Sequence, residues 1–330
     1  MMRLRLPQMP ERLWRHRLSL PEGVRPDVED CLGSGTLLLE QADIETARLD
    51  AECLLAYVLG CSRWQVILEP RQRLTAEEFE RYLRLLLRRE QREPLAYLLG
   101  AREFWSLKLA VSPGVLVPRP ETETLVEAAL AVCRAMHSGQ GAMLPCPSPP
   151  NLPGLTLVDL CTGSGAVAIA LSRELSGARL VATDSSWRAL RVARANAEAH
   201  HVADRIVFLR GDLWRALASH DSALPADVVV ANPPYIPSGM IDALMPEVQW
   251  EPRVALDGGP DGLRVLREII ATTPLHLQAG GFLLLEIGAD QAAAVIRCIE
   301  ATGRFEAPRV LQDLAGRDRV VVAQRTPMKH

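Results

Sequence analysis

Asn232-Pro233-Pro234-Tyr235 closes the apolar run Asp227-Val228-Val229-Val230-Ala231. Asn-Pro marks a turn, and proline cannot continue a central strand. A buried strand that ends this way delivers a polar side chain and donor-free backbone to a sheet edge. That suits chemistry on a planar amino group. An amide nitrogen is a poor nucleophile because its lone pair is conjugated into the carbonyl. If the Asn232 side-chain oxygen and the Pro233 carbonyl each accept one N–H, the nitrogen is aimed at an incoming methyl group and its electron density rises. Pro233 and Pro234 carry no N–H, so this wall offers acceptors with little competing donor capacity. Tyr235 can pack on the flat amide. Catalysis would then be positioning plus fixed dipoles in a dry pocket, with no metal. The plainer reading is a strand-terminating turn.

A second group of residues could hold a nucleotide. Asp159-Leu160-Cys161-Thr162-Gly163-Ser164-Gly165-Ala166 joins an expected strand to a helix, and glycine there permits close approaches that a side chain would block. The segment also satisfies GxGxxA through Ala168, so a dinucleotide fingerprint stays open. Asp184 ends the next strand, where a carboxylate can accept from both ribose hydroxyls. That fits NAD or S-adenosylmethionine equally, and a simple helix cap with Ser185 is the alternative. The Asn-Pro-Pro-Tyr strand end separates the two cofactors. A hydride enzyme has no use for it, whereas an amino or amide N-methyltransferase does.

Alternating elements must position these residues. The pattern predicts strands over Leu155–Leu160, Arg179–Thr183, Ile206–Leu209, Val228–Ala231 and Phe282–Ile287, with closing strands at Val310–Leu311 and Val320–Ala323. Helices are expected over Thr124–His137, Ala166–Leu175, Trp187–His200, Leu263–Leu277 and Ala289–Ala301. Such alternation implies an α/β fold with a mostly parallel sheet covered on both faces. Upstream, Val28–Arg92 reads as helical. Ile44, Ala47, Leu49, Ala51, Leu54, Leu55, Val58 and Leu59 form one apolar face closed by Gly60, and Thr75 to Glu78 is a capping box. Pro94 breaks the pattern. A hairpin is expected from stretches 101–109 and 111–117, punctuated by Ser112-Pro113-Gly114. The domain boundaries are therefore a tail (residues 1–27), a helical domain (28–100), a β-hairpin connector (101–118) and a catalytic domain (119–330), with a Pro/Gly-rich loop at 138–154.

Bulk composition narrows the function class. The chain has 330 residues, 48% hydrophobic and 23% charged, with a net charge of −3. Residues 1–110 balance 17 basic against 17 acidic side chains, and there is no basic tract. A protein living on nucleic-acid phosphates shows an electrostatic footprint, so no stable nucleic-acid partner is expected. No apolar run approaches the ~18–20 residues that span a bilayer, and no membrane partner is expected. Seven scattered cysteines without CxxC pairs read as reduced thiols of a cytoplasmic enzyme, with no metal.

With these residues in view, the chain resembles the HemK/PrmC family, protein-(glutamine-N5) methyltransferases that modify peptide chain release factors. The resemblance runs in collinear blocks. They are Glu93-Pro94-Leu95-Ala96-Tyr97 with Glu103-Phe104-Trp105, then Pro118-Arg119-Pro120-Glu121-Thr122-Glu123, then the glycine loop and Asn-Pro-Pro-Tyr. Glu251-Pro252-Arg253, Asp257-Gly258-Gly259, Leu285-Glu286-Ile287-Gly288 and Asp313-Leu314-Ala315-Gly316-Arg317 follow. It implies a seven-stranded Rossmann-like S-adenosylmethionine-dependent methyltransferase domain behind an N-terminal helical substrate-recognition domain. The implied substrate is the glutamine of the Gly-Gly-Gln motif in class 1 release factors. The family's cofactor loop falls on Cys161, Thr162, Gly163, Ser164 and Gly165, its ribose carboxylate on Asp184, and its adenine-proximal site on Asp212 and Leu213. The amide clamp falls on Asn232, Pro233, Pro234 and Tyr235, with Asn232 also beside the cofactor. Arg119 and Glu121 match a motif beside the pocket, or form an ion pair that fixes the connector.

Cys161 stands where many members have glycine. Leu213 occupies an often aromatic position, so adenine packing differs or Trp214 substitutes. The 138–154 loop is longer than usual, and the first residues match nothing. Three rivals remain. A sister group that methylates a ribosomal-protein glutamine has Pro-Arg-Ser where this chain has Pro118-Arg119-Pro120. A nucleic-acid adenine or guanine methyltransferase requires a basic face. A non-catalytic adaptor would not need intact Asn232, Pro233, Tyr235 and Asp184.

Overall fold

The computed structural model describes residues 25–138, 154–218 and 225–327. The tail to residue 24 and nearly all of the expected 138–154 loop lie outside these. The chain forms two compact units, residues 1–99 and 100–330.

The first unit is helical. It comprises α1 (Val28–Glu40), α2 (Ala47–Leu59), α3 (Arg63–Leu68), α4 (Ala76–Glu90) and α5 (Leu95–Leu99). Reciprocal capping boxes start α1 (Asp27 with Asp30), α3 (Ser62 with Gln65) and α4 (Thr75 with Glu78). Each satisfies two backbone donors that the first helical turn would otherwise orphan. Gly60 ends α2 in the left-handed conformation. Leu39, Leu54, Leu55, Leu86 and Tyr82 fill the core. A Cβ on Gly35 would collide with the Tyr82 hydroxyl, so glycine lets α1 approach α4. The buried Asp50 carboxylate accepts from Arg89 Nε at 2.6 Å. Leu49, expected on the apolar face, is 41% exposed. It sits beside the buried stripe rather than in it.

The second unit opens with an antiparallel hairpin, β1 (Ala101–Phe104) and β2 (Leu107–Ala110). Its turn is Trp105-Ser106, not Ser112-Pro113-Gly114 as expected. Both residues have positive φ (52° and 55°), as in a type I′ turn, without the usual Asn-Gly signal. Tertiary bonds hold them there: Trp105 N–H donates to Glu123 at 2.8 Å and its indole to Glu174 at 2.9 Å. A 3₁₀ turn at Pro120–Thr122 leads into α6 (Glu123–Ser138).

The main sheet contains β3 (Thr156–Leu160), β4 (Arg179–Asp184), β5 (Ile206–Arg210), β6 (Ala226–Ala231), β7 (Leu277–Glu286), β8 (Arg309–Gln312) and β9 (Asp318–Gln324). Their spatial order is β5-β4-β3-β6-β7-β9-β8. The first five are parallel, and β9 pairs antiparallel with both β7 and β8. Helices α7 (Ala166–Glu174), α8 (Trp187–Ala199), α9 (Pro246–Gln249), α10 (Arg264–Thr272) and α11 (Ala292–Ala301) connect them. Two apolar clusters result. Val228 and Val230 belong to one, and Val229 and Ala231 to the other, as period-two alternation in a strand buried on both faces requires. Helix α10 is shorter than expected because Pro274 diverts the chain into a 3₁₀ turn. Strand β7 then begins at Leu277, five residues ahead of the expected Phe282, through Gly280-Gly281 and an irregular register against β6.

Strand order reverses at β3. The chain passes from β3 outward to β4 and β5, then returns to lay β6 on the other side. The loops after β3 and β6 diverge and leave a crevice at the strands' carboxyl ends, where ligands of open α/β sheets bind. No helix among the described residues is long and apolar enough to cross a membrane.

Candidate active site

The sequence-predicted residues converge on that crevice. A cavity of about 230 Å³ is lined by Cys161, Gly163, Asp184, Asp212, Leu213, Asn232 and Pro234, among others. A smaller one, about 40 Å³, is lined by Thr122, Asp159, Thr162, Ser164 and Arg119. Cys161, Gly163 and Asn232 border both. Gly165, Pro233 and Tyr235 line neither. Among the described residues no His, Cys, Asp and Glu cluster could hold a metal ion.

The loop after β3 is fixed from within. Thr162 N–H reaches the Thr183 carbonyl at 2.9 Å, and its hydroxyl donates to Asp159 at 2.6 Å. Cys161, Gly163 and Gly165 all have positive φ, at 63°, 56° and 84°. A Cβ on Gly165 would stand 3.0 Å from the Ala193 Cβ, so glycine permits α7 to pack on α8. A Cβ on Gly163 would meet nothing within 4 Å and would project into open cradle. Cys161 adopts the left-handed conformation that glycine takes without cost. Burial pushes the Asp159 carboxyl up to about 7.

Asp184 ties this loop to the end of β4. Its Oδ2 accepts from Gly163 N–H at 2.9 Å and its Oδ1 from Ser186 N–H at 2.8 Å. Burial raises its pKa, against the lowering effect of these two bonds. Asp212 is exposed and faces Arg215 at 3.5 Å. Leu213 is buried with φ of 46°. Trp214 does not substitute for an aromatic in the cavity wall: it stacks on His276 at 4.4 Å instead.

Asn232 stands at the end of β6, and its Nδ2 donates to Thr122 Oγ1 at 3.1 Å. Its Oδ1 therefore remains the acceptor for a ligand. Pro233 is buried. The Tyr235 carbonyl accepts from Gln291 Nε2 at 2.9 Å, and its hydroxyl is directed at Glu286, 3.5 Å away. Burial pushes that phenol up. Burial also pushes the Glu286 carboxyl up to about 7, opposed by a hydrogen bond from Thr122. The glycine-rich block packs behind the motif. A Cβ on Gly258 would lie 2.8 Å from the Pro234 carbonyl, and one on Gly262 would collide with that of Tyr235.

Arg119 pairs with Glu251 rather than Glu121. The same carboxylate accepts Val117 N–H at 2.9 Å, joining the connector to the segment beyond the clamp. Thr122, Glu251 and Glu286 carry no local sequence signal that marks them as site residues. All three lie in blocks that carry the family resemblance, which was the one available signal.

Residues 30–100 match the PrmC N-terminal domain family and residues 143–245 the methyltransferase small domain family. A release factor glutamine methyltransferase of Moorella thermoacetica is 39% identical over 90% of this chain and 98% of its own length. The chain belongs to the release factor glutamine methyltransferase family. A second member, from Gloeobacter violaceus, is 42% identical over 85% of this chain and 91% of its own. At the level of fold alone, the hMettl16 catalytic domain, solved with a MAT2A 3′UTR hairpin, is similar at TM-score 0.50. It is 14% identical and the match covers 77% of this chain and 83% of that one.

Proposed function

We propose that the protein transfers a methyl group from S-adenosylmethionine to the side-chain amide nitrogen (N5) of the glutamine in the Gly-Gly-Gln motif of class 1 peptide chain release factors. The observation that carries this reading is the Asn232 carboxamide, placed on the border of two adjoining cavities with its NH2 end already engaged by Thr122. Family membership points to the same substrate.

The residues present fit the cofactor. The open cradle at Gly163 admits a ligand against the backbone, and Asp184 keeps lone pairs for ribose hydroxyls after its two backbone bonds. Thr162, Ser164 and Gly165 shape the loop, while Asp212 and Leu213 border the adenine side, with Cys161 between the two cavities. When bound, S-adenosylmethionine supplies a methyl group on a positively charged sulfur. Asn232 Oδ1 accepts one N–H of the substrate amide, the Pro233 carbonyl, from a residue that lines neither cavity, would accept the other once substrate is seated, and Pro234 contributes a wall without donors. This holds the nitrogen lone pair on a fixed line and saves the entropy of orienting it.

The helical unit supplies docking surface, because a lone glutamine side chain offers little area for specificity. Trp64 and Leu68, four apart on α3, are 65% and 76% exposed. The protein works in the cytoplasm beside its release-factor substrate, with no stable nucleic-acid or membrane partner. Incubation with a purified release factor and labelled methyl donor, followed by mass mapping, tests the proposal. Label on the Gly-Gly-Gln glutamine supports it; label only on a ribosomal protein, DNA or RNA overturns it.

A further inference from the structure

Glu286 is buried at the end of β7, with 1% of its surface exposed, and none of the clamp chemistry uses it. Two hydroxyls face its carboxyl: Thr122, through a side-chain hydrogen bond, and Tyr235, with its oxygen at 3.5 Å. Each comes from an element bordering the site. Thr122 belongs to the 3₁₀ turn before α6, and Tyr235 is the last residue of the clamp motif. Thr122 also receives the Asn232 Nδ2–H.

A hydroxyl has one proton to donate, and Glu286 in its ionised form, which prevails above about pH 7, is an acceptor only. If Thr122 gives its proton to Glu286, its oxygen is left to accept from Asn232. Of the two ends of the Asn232 carboxamide, only the NH2 end can meet that demand. The amide is thereby locked with Oδ1 toward the substrate. Reversing it would set Oδ1 against the Thr122 oxygen and present N–H donors to a substrate that is itself a donor.

We propose that Glu286 and Thr122 are positioning residues that fix the rotamer of the Asn232 carboxamide and so decide which end of it meets the substrate nitrogen. Neither side chain takes part in methyl transfer. Glu286 acts through Thr122 on the first residue of the clamp and directly on Tyr235, its last. The inference rests on the glutamine methyltransferase reading given above.

The test compares Thr122→Val, which keeps the shape and removes the hydroxyl, with Thr122→Ser, which keeps the hydroxyl. Glu286→Leu, which removes the acceptor, is the second lesion. For each, kcat and KM are measured with a purified release factor, cofactor affinity by calorimetry, and folding by thermal melt. Thr122→Val is expected to lower kcat by about 10- to 100-fold, less than the 10²–10³ typical of losing a transition-state contact outright. Cofactor Kd should stay within about twofold, since neither residue is assigned to ribose or adenine. Thr122→Ser should recover kcat to within about threefold of wild type. Combining Thr122→Val with Glu286→Leu should cost no more than the worse single change, because both break one relay.

A Thr122→Val enzyme that folds and keeps kcat within about twofold of wild type overturns the proposal. So do Ser and Val variants equally impaired, or a rate loss matched by the loss of cofactor affinity, which would mark a structural role. If Thr122→Val does not fold, the Ser variant and Glu286→Leu, which removes the acceptor, decide: full activity in Glu286→Leu overturns the relay, and loss of kcat alone supports it. Failure of the wild-type enzyme to label the glutamine would instead sink the underlying reading, so the two failures are distinguishable.

Discussion

Arg119 closes on Glu251, a carboxylate 132 positions further along the chain, and so pins the connector to the segment that follows the clamp. Glu251 is 6% exposed, and burial raises its pKa against the lowering effect of the guanidinium. Removing Arg119 leaves a buried acid with only Val117 N–H as partner. Breaking a fully buried pair costs about 3–5 kcal/mol. Arg119 is one-third exposed, so solvent screening brings the expected cost of Arg119→Ala to about 1–3 kcal/mol. Urea unfolding measures it, and an unchanged midpoint contradicts the structural role.

Asn232→Ala should lower turnover by at least about 10²–10³ while cofactor affinity falls only a few-fold. On the proposed mechanism the lost group touches the reacting amide, whereas the groups assigned to the cofactor remain. Single-turnover methylation with calorimetry on the same protein checks both halves. Near-normal turnover removes the clamp from the mechanism.

Asp184→Asn should weaken the cofactor by about 10- to 100-fold, the range of one or two charge-assisted bonds. An amide has one acceptor oxygen, so either Gly163 or Ser186 N–H also loses its partner. Equilibrium binding of S-adenosylhomocysteine reads the effect. Unaltered binding would take Asp184 out of the ribose site.

Stability should fall between about pH 4 and pH 7 through Glu286 and Asp159. Their carboxyls stand at about 7 when folded, against ordinary values of 4.5 and 3.8. Across that window the folded chain holds protons that the unfolded chain has released, so raising pH favours unfolding. The contribution is fully present below the ordinary values and is lost as pH rises through about 7, at up to about 1.4 kcal/mol per pH unit for each group. Melting temperatures from pH 4.5 to 8 should show a shallower decline in Glu286→Gln than in wild type. An equal slope in both would contradict a raised Glu286 pKa.

Replacing Trp64 and Leu68 together with alanine should raise KM for the release factor about 10-fold, with cofactor binding unchanged. Pull-down and steady-state kinetics test this docking role. An unaltered KM places the recognition surface elsewhere.

The sequence by itself determined the order of the main strands and helices, the Asn-Pro-Pro-Tyr strand end and the glycine loop, because these depend on local signals. Asn-Pro-Pro ends a strand wherever it occurs, glycine opens a loop, and alternating apolar runs with short connections leave few α/β topologies. Asp184 and the Thr75 capping box were legible for the same reason. Tertiary structure decided what depended on distant partners. Trp105-Ser106 became the hairpin turn because Glu123 and Glu174 hold it. Trp214 went to His276 rather than the cavity, and Arg119 found Glu251 rather than nearby Glu121. The orientation of Asn232 depends on Thr122, 110 positions earlier, and on Glu286 at the end of another strand. No local pattern encodes which end of an amide faces a pocket, since that is fixed by protons shared among side chains that only the folded sheet brings together.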